Sequence, residues 1–313
     1  MSILYCYPER DGKDFYLGFW LDVDDTEDER TWDNQAAAIA KRFQALYAIL
    51  EEKQAERGNE FKEHIRTLSE MLIAPFAGLL RKASELRFVL PQDLVRWPFD
   101  LLELDGQALF LRVPVSYVLD DEVPVFRGPL KLVTGVVIAD LTADPEEACK
   151  AIHQSLPNTE YSRVEVASNE SVTDADAIDL LLISAHGSLE DDNSGEIDLN
   201  GDSLTSDELA DIETTLVYFD SCGMGSNWDY LQTFYDEGST RYYLSPITSN
   251  DAGDSSTNTM IWFFKGLQNH QTPEVALFET RKRLFAHYMK KRLDPIVVLN
   301  KAFPFRLYVF DNT

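Results

Sequence analysis

Residues 177–187, AIDLLLISAHG, and 214–225, TTLVYFDSCGMG, are two apolar runs that each end in a chemically active side chain followed by glycine. Runs such as DLLLIS and LVYFD do not alternate apolar with polar, so both faces of each strand must be covered. That pattern predicts an α/β sandwich with a mainly parallel sheet. In open sheets of this kind ligands bind beyond the carboxyl ends of the strands. His186 and Cys222 stand at two such ends.

Outward from these runs, strand-like and helical stretches alternate. LRFVL (86–90), LFLRVPVSYVL (109–119) and KLVTGVVIAD (131–140) precede a helix opened by Asp144 and Pro145. YSRVEVA (161–167) and RYYLSPI (241–247) read as further strands, and helices are expected over about 255–269 and 273–292. Before residue 86 the pattern is different. A short strand region leads into a helix over 31–55, with Thr31 or Asp33 as its cap, and a second over 64–84 with Pro75 as the place for a bend. The domain expectation is therefore a strand and two-helix region over 1–85, available for docking or regulation. A catalytic domain follows over 86–313, with 86–130 as a leading portion and 131–313 as its core.

The chain has 313 residues, 54 acidic and 28 basic, for a formal charge of −26. Such a surface repels a phosphate backbone, which argues against nucleic acid as a direct ligand. No apolar run reaches the roughly 18 residues that span a bilayer, and the first residues lack a basic flank and long apolar core, so a soluble cytoplasmic protein is expected, with no membrane partner. The three cysteines, Cys6, Cys149 and Cys222, are far apart and form no CxxC pair. They call for neither a disulfide framework nor a metal or other cofactor.

If the two decisive strands are parallel neighbours, imidazole and thiol share one edge of the sheet. A thiolate attacks a carbonyl, and a nearby histidine accepts the thiol proton and later protonates the leaving amine. Gly187 and Gly223 let backbone N–H groups approach a developing oxyanion with no Cβ in the way. Asp220 precedes the cysteine by two residues, on the same face by strand alternation, and needs a partner if it is buried.

The series DLLLISAHG, GEIDLNGDSLTSDEL, TTLVYFDSCGMG and NDAGDSSTNTMIWFFKGL resembles the CHAT family of caspase-like cysteine peptidases, relatives of separases, caspases and metacaspases. VLPQDLVRWPFDLLELDGQALFLRVPVSYVL resembles the family's earlier portion, so the likeness extends over about 86–310. It implies a caspase-like three-layer α/β/α sandwich, His186 as general base and acid, Cys222 as nucleophile, and backbone N–H groups of Gly187 and Cys222 as oxyanion hole. Many members have Glu-Thr-Gly after the cysteine, whereas Gly223-Met224-Gly225 follows here, a difference of loop shape. The resemblance also implies a prokaryotic regulated-proteolysis or antiviral defence setting, a protein substrate, and a separate activator or sensor protein.

Asp220-Ser221-Cys222 is similar to the Asp-Ser-Cys of metacaspases, where the aspartate lines an S1 pocket for basic residues. Asp254 and Asp251 lie in the stretch matching the family's substrate loop and are further S1 candidates. Between Arg163 and Arg241 there are nineteen Asp or Glu and no Lys or Arg. Cleavage after Arg or Lys is therefore expected, and self-cleavage within that interval is not available to such an enzyme.

Two motifs read as structural. EIDLNGDSLTSD (196–207) has the spacing of a calcium loop, but Ser203 stands where an apolar residue is needed, and Asn200-Gly201 suits a hairpin turn. Cys149 and His153 share a helix face beside an apolar stripe, which packing explains. Two further functions stay open from sequence: a non-catalytic caspase-like interaction module, and a thiol hydrolase acting on a small acyl substrate.

Overall fold

The computed structural model describes residues 2–120, 125, 128–156, 158–167, 172, 177–237 and 240–310. The chain divides into two compact units, Met1–Glu122 with Phe285–Phe303, and Val123–Leu284 with Pro304–Thr313. The boundary expected at 85/86 thus falls inside the first unit. The reason is a strand: Glu85–Val89 pairs in parallel with the first strand of the chain, so residues on both sides of that boundary share one sheet.

In the first unit β1 (Ile3–Asp11), β2 (Asp14–Leu21) and β3 (Thr26–Trp32) form an antiparallel meander. β1 then pairs in parallel with β4 (Glu85–Val89), and β4 with β7 (Val115–Val118). The short hairpin β5 (Glu103–Leu104) and β6 (Gln107–Ala108) lies between them in sequence. Thr31 belongs to β3, opposite Tyr16, and does not cap a helix; α1 starts later, at Ala36, and runs to Glu51 without a side-chain cap. Acidic residues crowd β3, and pairing with β2 outweighs their poor strand propensity. α2 (Gly58–Leu68) passes through a π turn at Ser69–Ile73 and a 3-10 turn containing Pro75 into the short α3 (Ala77–Leu80). The regular helix is interrupted over Ser69–Phe76, with Pro75, which cannot donate to the preceding turn, in the 3-10 portion. Stacked rings fill this core, with Phe43 4.5 Å from Trp97 and Phe88 5.3 Å from Tyr117 between ring centres.

The second unit carries the two decisive strands. It contains β8 (Gly135–Ala139), α4 (Ala148–Ser155), β9 (Thr159–Arg163), β10 (Ala177–Ser184), and the hairpin β11 (Ile197–Leu199) with β12 (Asp202–Leu204). β13 (Glu213–Asp220), α5 (Trp228–Asp236), β14 (Thr240–Pro246), α6 (Ser255–Gln268) and β15 (Phe305–Val309) complete it. The order is β15-β14-β13-β10-β8-β9, parallel except for β15 against β14.

Alternation along β13 explains the layers. Tyr218 faces Phe263 and Phe264 of α6, at 5.9 and 5.6 Å between ring centres. Its neighbour Phe219 faces the other way, onto Tyr230 of α5 at 5.9 Å. Both strand residues are fully buried, which is why LVYFD is apolar without interruption. α5 itself starts where Asn227 accepts the N–H groups of Asp229 and Tyr230, at 3.1 and 3.3 Å. The sandwich expected from sequence is therefore present, with helices on both faces of a mainly parallel sheet. Residues 196–207 form the expected hairpin: Asn200 and Gly201 have positive φ, and Asp198 accepts the Gly201 N–H at 3.0 Å. Among the described residues no helix is long and apolar enough to cross a membrane, and no cluster of side chains has the make-up of a metal site.

Candidate active site

β10 and β13 are parallel neighbours with Ser184 opposite Asp220. Two residues further along each chain stand His186 and Cys222, level with one another past the carboxyl ends. The segment after β10 pairs with the hairpin, the Ser188 N–H donating to Glu196 and the Asp198 N–H to His186, both at 2.9 Å. In that ladder Gly187 and Ile197 are a bridge whose own N–H groups are not exchanged. Gly187 therefore turns its N–H away from the hairpin. It also lies against the Cys222 backbone: a Cβ at Gly187 would sit 2.9 Å from the Cys222 carbonyl oxygen and 3.1 Å from its nitrogen. Gly223 has φ +74 and a similar constraint, since a Cβ there would meet Leu189 at 2.8 Å. Small residues at 187 and 223 are what allow the two strand ends to close on each other.

His186 is 61% exposed, and its ring is held from the far side. Nε2 lies 2.7 Å from the Thr142 hydroxyl, which donates to Oδ1 of Asp140 at 2.7 Å. Because that hydroxyl has given its proton to the carboxylate, it can only accept from the ring. Nε2 therefore carries hydrogen and Nδ1 is the basic nitrogen. Asp140 Oδ2 is 3.7 Å from Nε2, close enough to stabilise an imidazolium. Asp140 follows β8, the strand beside β10, where its N–H is fixed by the Ser184 carbonyl at 2.7 Å. Sequence reasoning missed Asp140 and Thr142. The signal was present, since KLVTGVVIAD is a third apolar strand ending in a polar side chain.

Asp220 requires a correction. It was expected to line S1 and await a substrate cation, but the carboxylate is 6% exposed and internally satisfied. Oδ1 accepts from Asn250 Nδ2 at 2.8 Å, and Oδ2 accepts from the hydroxyls of Ser184 and Ser256 at 2.9 and 2.5 Å. Burial pushes this carboxyl up from its ordinary range, and the three donors pull it back. Of the other two S1 candidates, Asp251 is exposed and Asp254 half-buried. Asp254 has φ +35 and ψ −89 and donates its N–H to Glu146 at 3.2 Å. Cys222 itself is half-buried, with Sγ 3.4 Å from the Asn250 nitrogen and 3.8 Å from the Asn250 carbonyl oxygen.

No family model and no curated protein matches the sequence. Solved structures do. The Saccharomyces cerevisiae separase–securin complex aligns with a TM-score of 0.61 at 6% identity, over 98% of this chain and 30% of that one. The chain thus spans less than a third of the separase chain it matches. The complex of the Porphyromonas gingivalis RgpB pro- and mature domains aligns with a TM-score of 0.48 at 10% identity, over 79% of this chain and 71% of that one. The chain has a caspase-like fold.

A cavity of about 780 Å³ lies between the segment after β10 and α5, and neither His186 nor Cys222 lines it. It begins at Ser188, next to Gly187, and its carboxylates are Glu190, Glu196, Asp207, Asp229, Asp236 and Glu237, with no basic residue in its lining. Burial, with Asp192 and Asp207 nearby, pushes the Asp229 carboxyl up. Cys149 and His153 stay apart from this chemistry. Cys149 is buried with its thiol pushed well up and touches Met260 sulfur at 3.9 Å, while His153 Nδ1 is 2.9 Å from the Thr159 hydroxyl.

Proposed function

We propose that the chain is a cysteine endopeptidase that cleaves a protein substrate after Arg or Lys through His186 and Cys222. The observation that carries this reading is the register: two neighbouring parallel strands end level, and Gly187 lies against the Cys222 backbone. Thr142 and Asp140 support it by leaving Nδ1 of His186 unprotonated to take the thiol proton. The thiolate then attacks the carbonyl carbon, and the oxyanion meets the N–H groups of Gly187 and Cys222, each such donor being worth roughly 10²–10³ in rate. The imidazolium passes its proton to the departing amine. Water, deprotonated by the same nitrogen, opens the thioester and restores the thiol.

The basic preference rests on the field around the site. The six carboxylates of the cavity that starts at Ser188, within an interval from Val164 to Thr240 that has no Lys or Arg, favour a cationic substrate and disfavour an acidic one. Asp251 and Asp254 are the S1 carboxylates in this reading, with Asp220 set aside. A separate protein switches the enzyme, as the family resemblance implies for regulated-proteolysis and defence modules; the solved separase structure is itself a complex with securin.

The test is intact-mass labelling by two matched peptidyl acyloxymethyl ketones, with Arg or Asp at P1, on wild type, Cys222→Ala and His186→Ala. Single labelling of wild type by the Arg reagent alone is expected, with none on Cys222→Ala and a large loss on His186→Ala. Preferential labelling by the Asp reagent overturns the specificity. Labelling that survives Cys222→Ala overturns the nucleophile.

A further inference from the structure

The buried Asp220 carboxylate is left without a catalytic part once its S1 role is withdrawn, and its partners show what it does instead. Ser184 ends the strand that leads to His186. Ser256 stands in the first turn of α6. Asn250 lies on the loop between β14 and α6, and Asp220 is itself on the strand that leads to Cys222. One carboxylate therefore ties together both strands of the dyad, the start of α6 and that loop. Three donors at 2.5–2.9 Å satisfy it, as a buried charge requires.

Asn250 is bonded in two directions. Its side-chain amide points inward to Asp220, and its main-chain N–H points at Cys222 Sγ from 3.4 Å. An N–H aimed at sulfur favours thiolate over thiol, because hydrogen bonding to the charged form stabilises it. The Asn250 carbonyl, 3.8 Å from Sγ, is the acceptor for the protonated thiol. Both protonation states thus have a partner on one residue, and that residue is held in place by Asp220.

We propose that Asn250 is the positioning residue of the nucleophile: its main-chain N–H holds the Cys222 thiolate, and the Asp220, Ser184 and Ser256 cluster locks the loop that presents it. This rests on the reading of Cys222 as nucleophile. It goes beyond that reading by giving the sulfur a fixed donor apart from the oxyanion hole, and by making Asp220 a brace. The titratable groups around the sulfur are His186 across the strand ends, Asp220 beneath, and Asp251 next along the loop. Asp144 adds a carboxylate that acts on Asp220. Asn250→Ala keeps the main-chain N–H and every charged side chain but also withdraws one donor from Asp220, so Ser256→Ala, which withdraws another donor and leaves Asn250 in place, is its control.

The experiment follows the pH dependence of Cys222 alkylation by iodoacetamide on the full chain, read by intact mass, with Cys222→Ala as the blank. Iodoacetamide needs neither S1 nor an oxyanion hole. Relative to wild type, Asn250→Ala is expected to raise the midpoint of the alkylation profile by about one pH unit, the scale of one lost hydrogen bond to a charged group. Ser256→Ala, which keeps two of the three ties to Asp220, is expected to move it less. The proposal is overturned if Asn250→Ala leaves the midpoint within about 0.2 unit of wild type while the melting temperature falls, since the cluster is then structural only. It is equally overturned if Cys222 in wild type shows no alkylation from pH 5 to 10. If the midpoint moves as expected but neither peptidyl ketone labels the enzyme, the positioning role stands and the endopeptidase reading falls.

Discussion

Replacing Gly187 with alanine puts a methyl carbon 2.9 Å from the Cys222 carbonyl oxygen, 3.1 Å from its nitrogen and 3.1 Å from Ser221 Cβ. Carbon contacts are most favourable near 3.5–4.0 Å, so the two strand ends must part by roughly half an ångström. Two of the three close atoms are backbone and cannot turn aside as a flexible side chain would. Overpacking of this kind costs about 1–3 kcal/mol of stability. In the proposed mechanism the same movement withdraws the Gly187 N–H from the oxyanion that it and the Cys222 N–H would bind. A misplacement of about 1 Å can cost 10²-fold in rate, and full loss of one oxyanion donor about 10²–10³-fold. Gly187→Ala is therefore expected to lower the second-order inactivation constant of the Arg ketone by about 10–100-fold. Iodoacetamide alkylation of Cys222, a displacement with no oxyanion, is expected to stay within about threefold. A Gly187→Ala enzyme that reacts with the ketone at the wild-type rate refutes the idea that close approach of the two strand ends builds the site.

Three more outcomes follow from the geometry. Thr142→Val takes away the acceptor of the His186 Nε2 hydrogen and leaves the ring free to choose its tautomer; a loss of about tenfold in ketone inactivation is expected, with Asp140→Asn similar or larger, and normal rates in both would remove them from the mechanism. Active wild type is expected to remain a single chain by intact mass, since no Lys or Arg lies between Val164 and Thr240; cuts in that interval that vanish in Cys222→Ala would contradict the basic preference. The Asp220 carboxyl is raised in the folded state, so it holds its proton to higher pH folded than unfolded, and its contribution is full below about pH 4 and lost as pH rises through the folded value. Urea midpoints of wild type and Asp220→Asn should accordingly drift against wild type as pH rises, and a flat difference, or a drift the other way, counts against that assignment.

The sheet was legible because burial on both faces leaves a plain mark: DLLLIS and LVYFD have no polar position to spare, and the observed β10 and β13 begin and end close to where those runs do. The first unit was less legible for the opposite reason. β3 reads TEDERTW, a sequence with no apolar alternation, and only its pairing with β2 makes it a strand. The helical spacing that starts near Ala36 was extended back to Thr31 because threonine and aspartate look like caps wherever they precede such a stretch. The expected domain boundary failed on the same ground, since parallel pairing of residues 3–6 with 85–88 is a long-range fact that no local pattern reports.

The site divides along a similar line. The placement of His186 and Cys222 was legible because each closes an apolar run, and parallel neighbours with their ends level bring such residues side by side. Asp140 closes a third run and could have been found by the same rule; it stands beside the histidine because β8 is the strand next to β10. Asp220 was misread because its surroundings were judged from the three apolar residues before it. The partners that satisfy it lie 30 residues or more away in sequence, at Ser184, Asn250 and Ser256, and each is an ordinary polar residue near the end or start of an element. A buried carboxylate must find donors somewhere, and sequence shows the need without showing the supplier. That need was assigned to a substrate cation when the fold met it with two hydroxyls and an amide. The consequence is chemical as well as structural: a carboxyl group met by three neutral donors, two residues before Cys222, opposes the proposed thiolate whenever it is ionised. In that proposal the Asn250 N–H is what offsets it, which is why loosening Asn250 is expected to show in the thiol's titration.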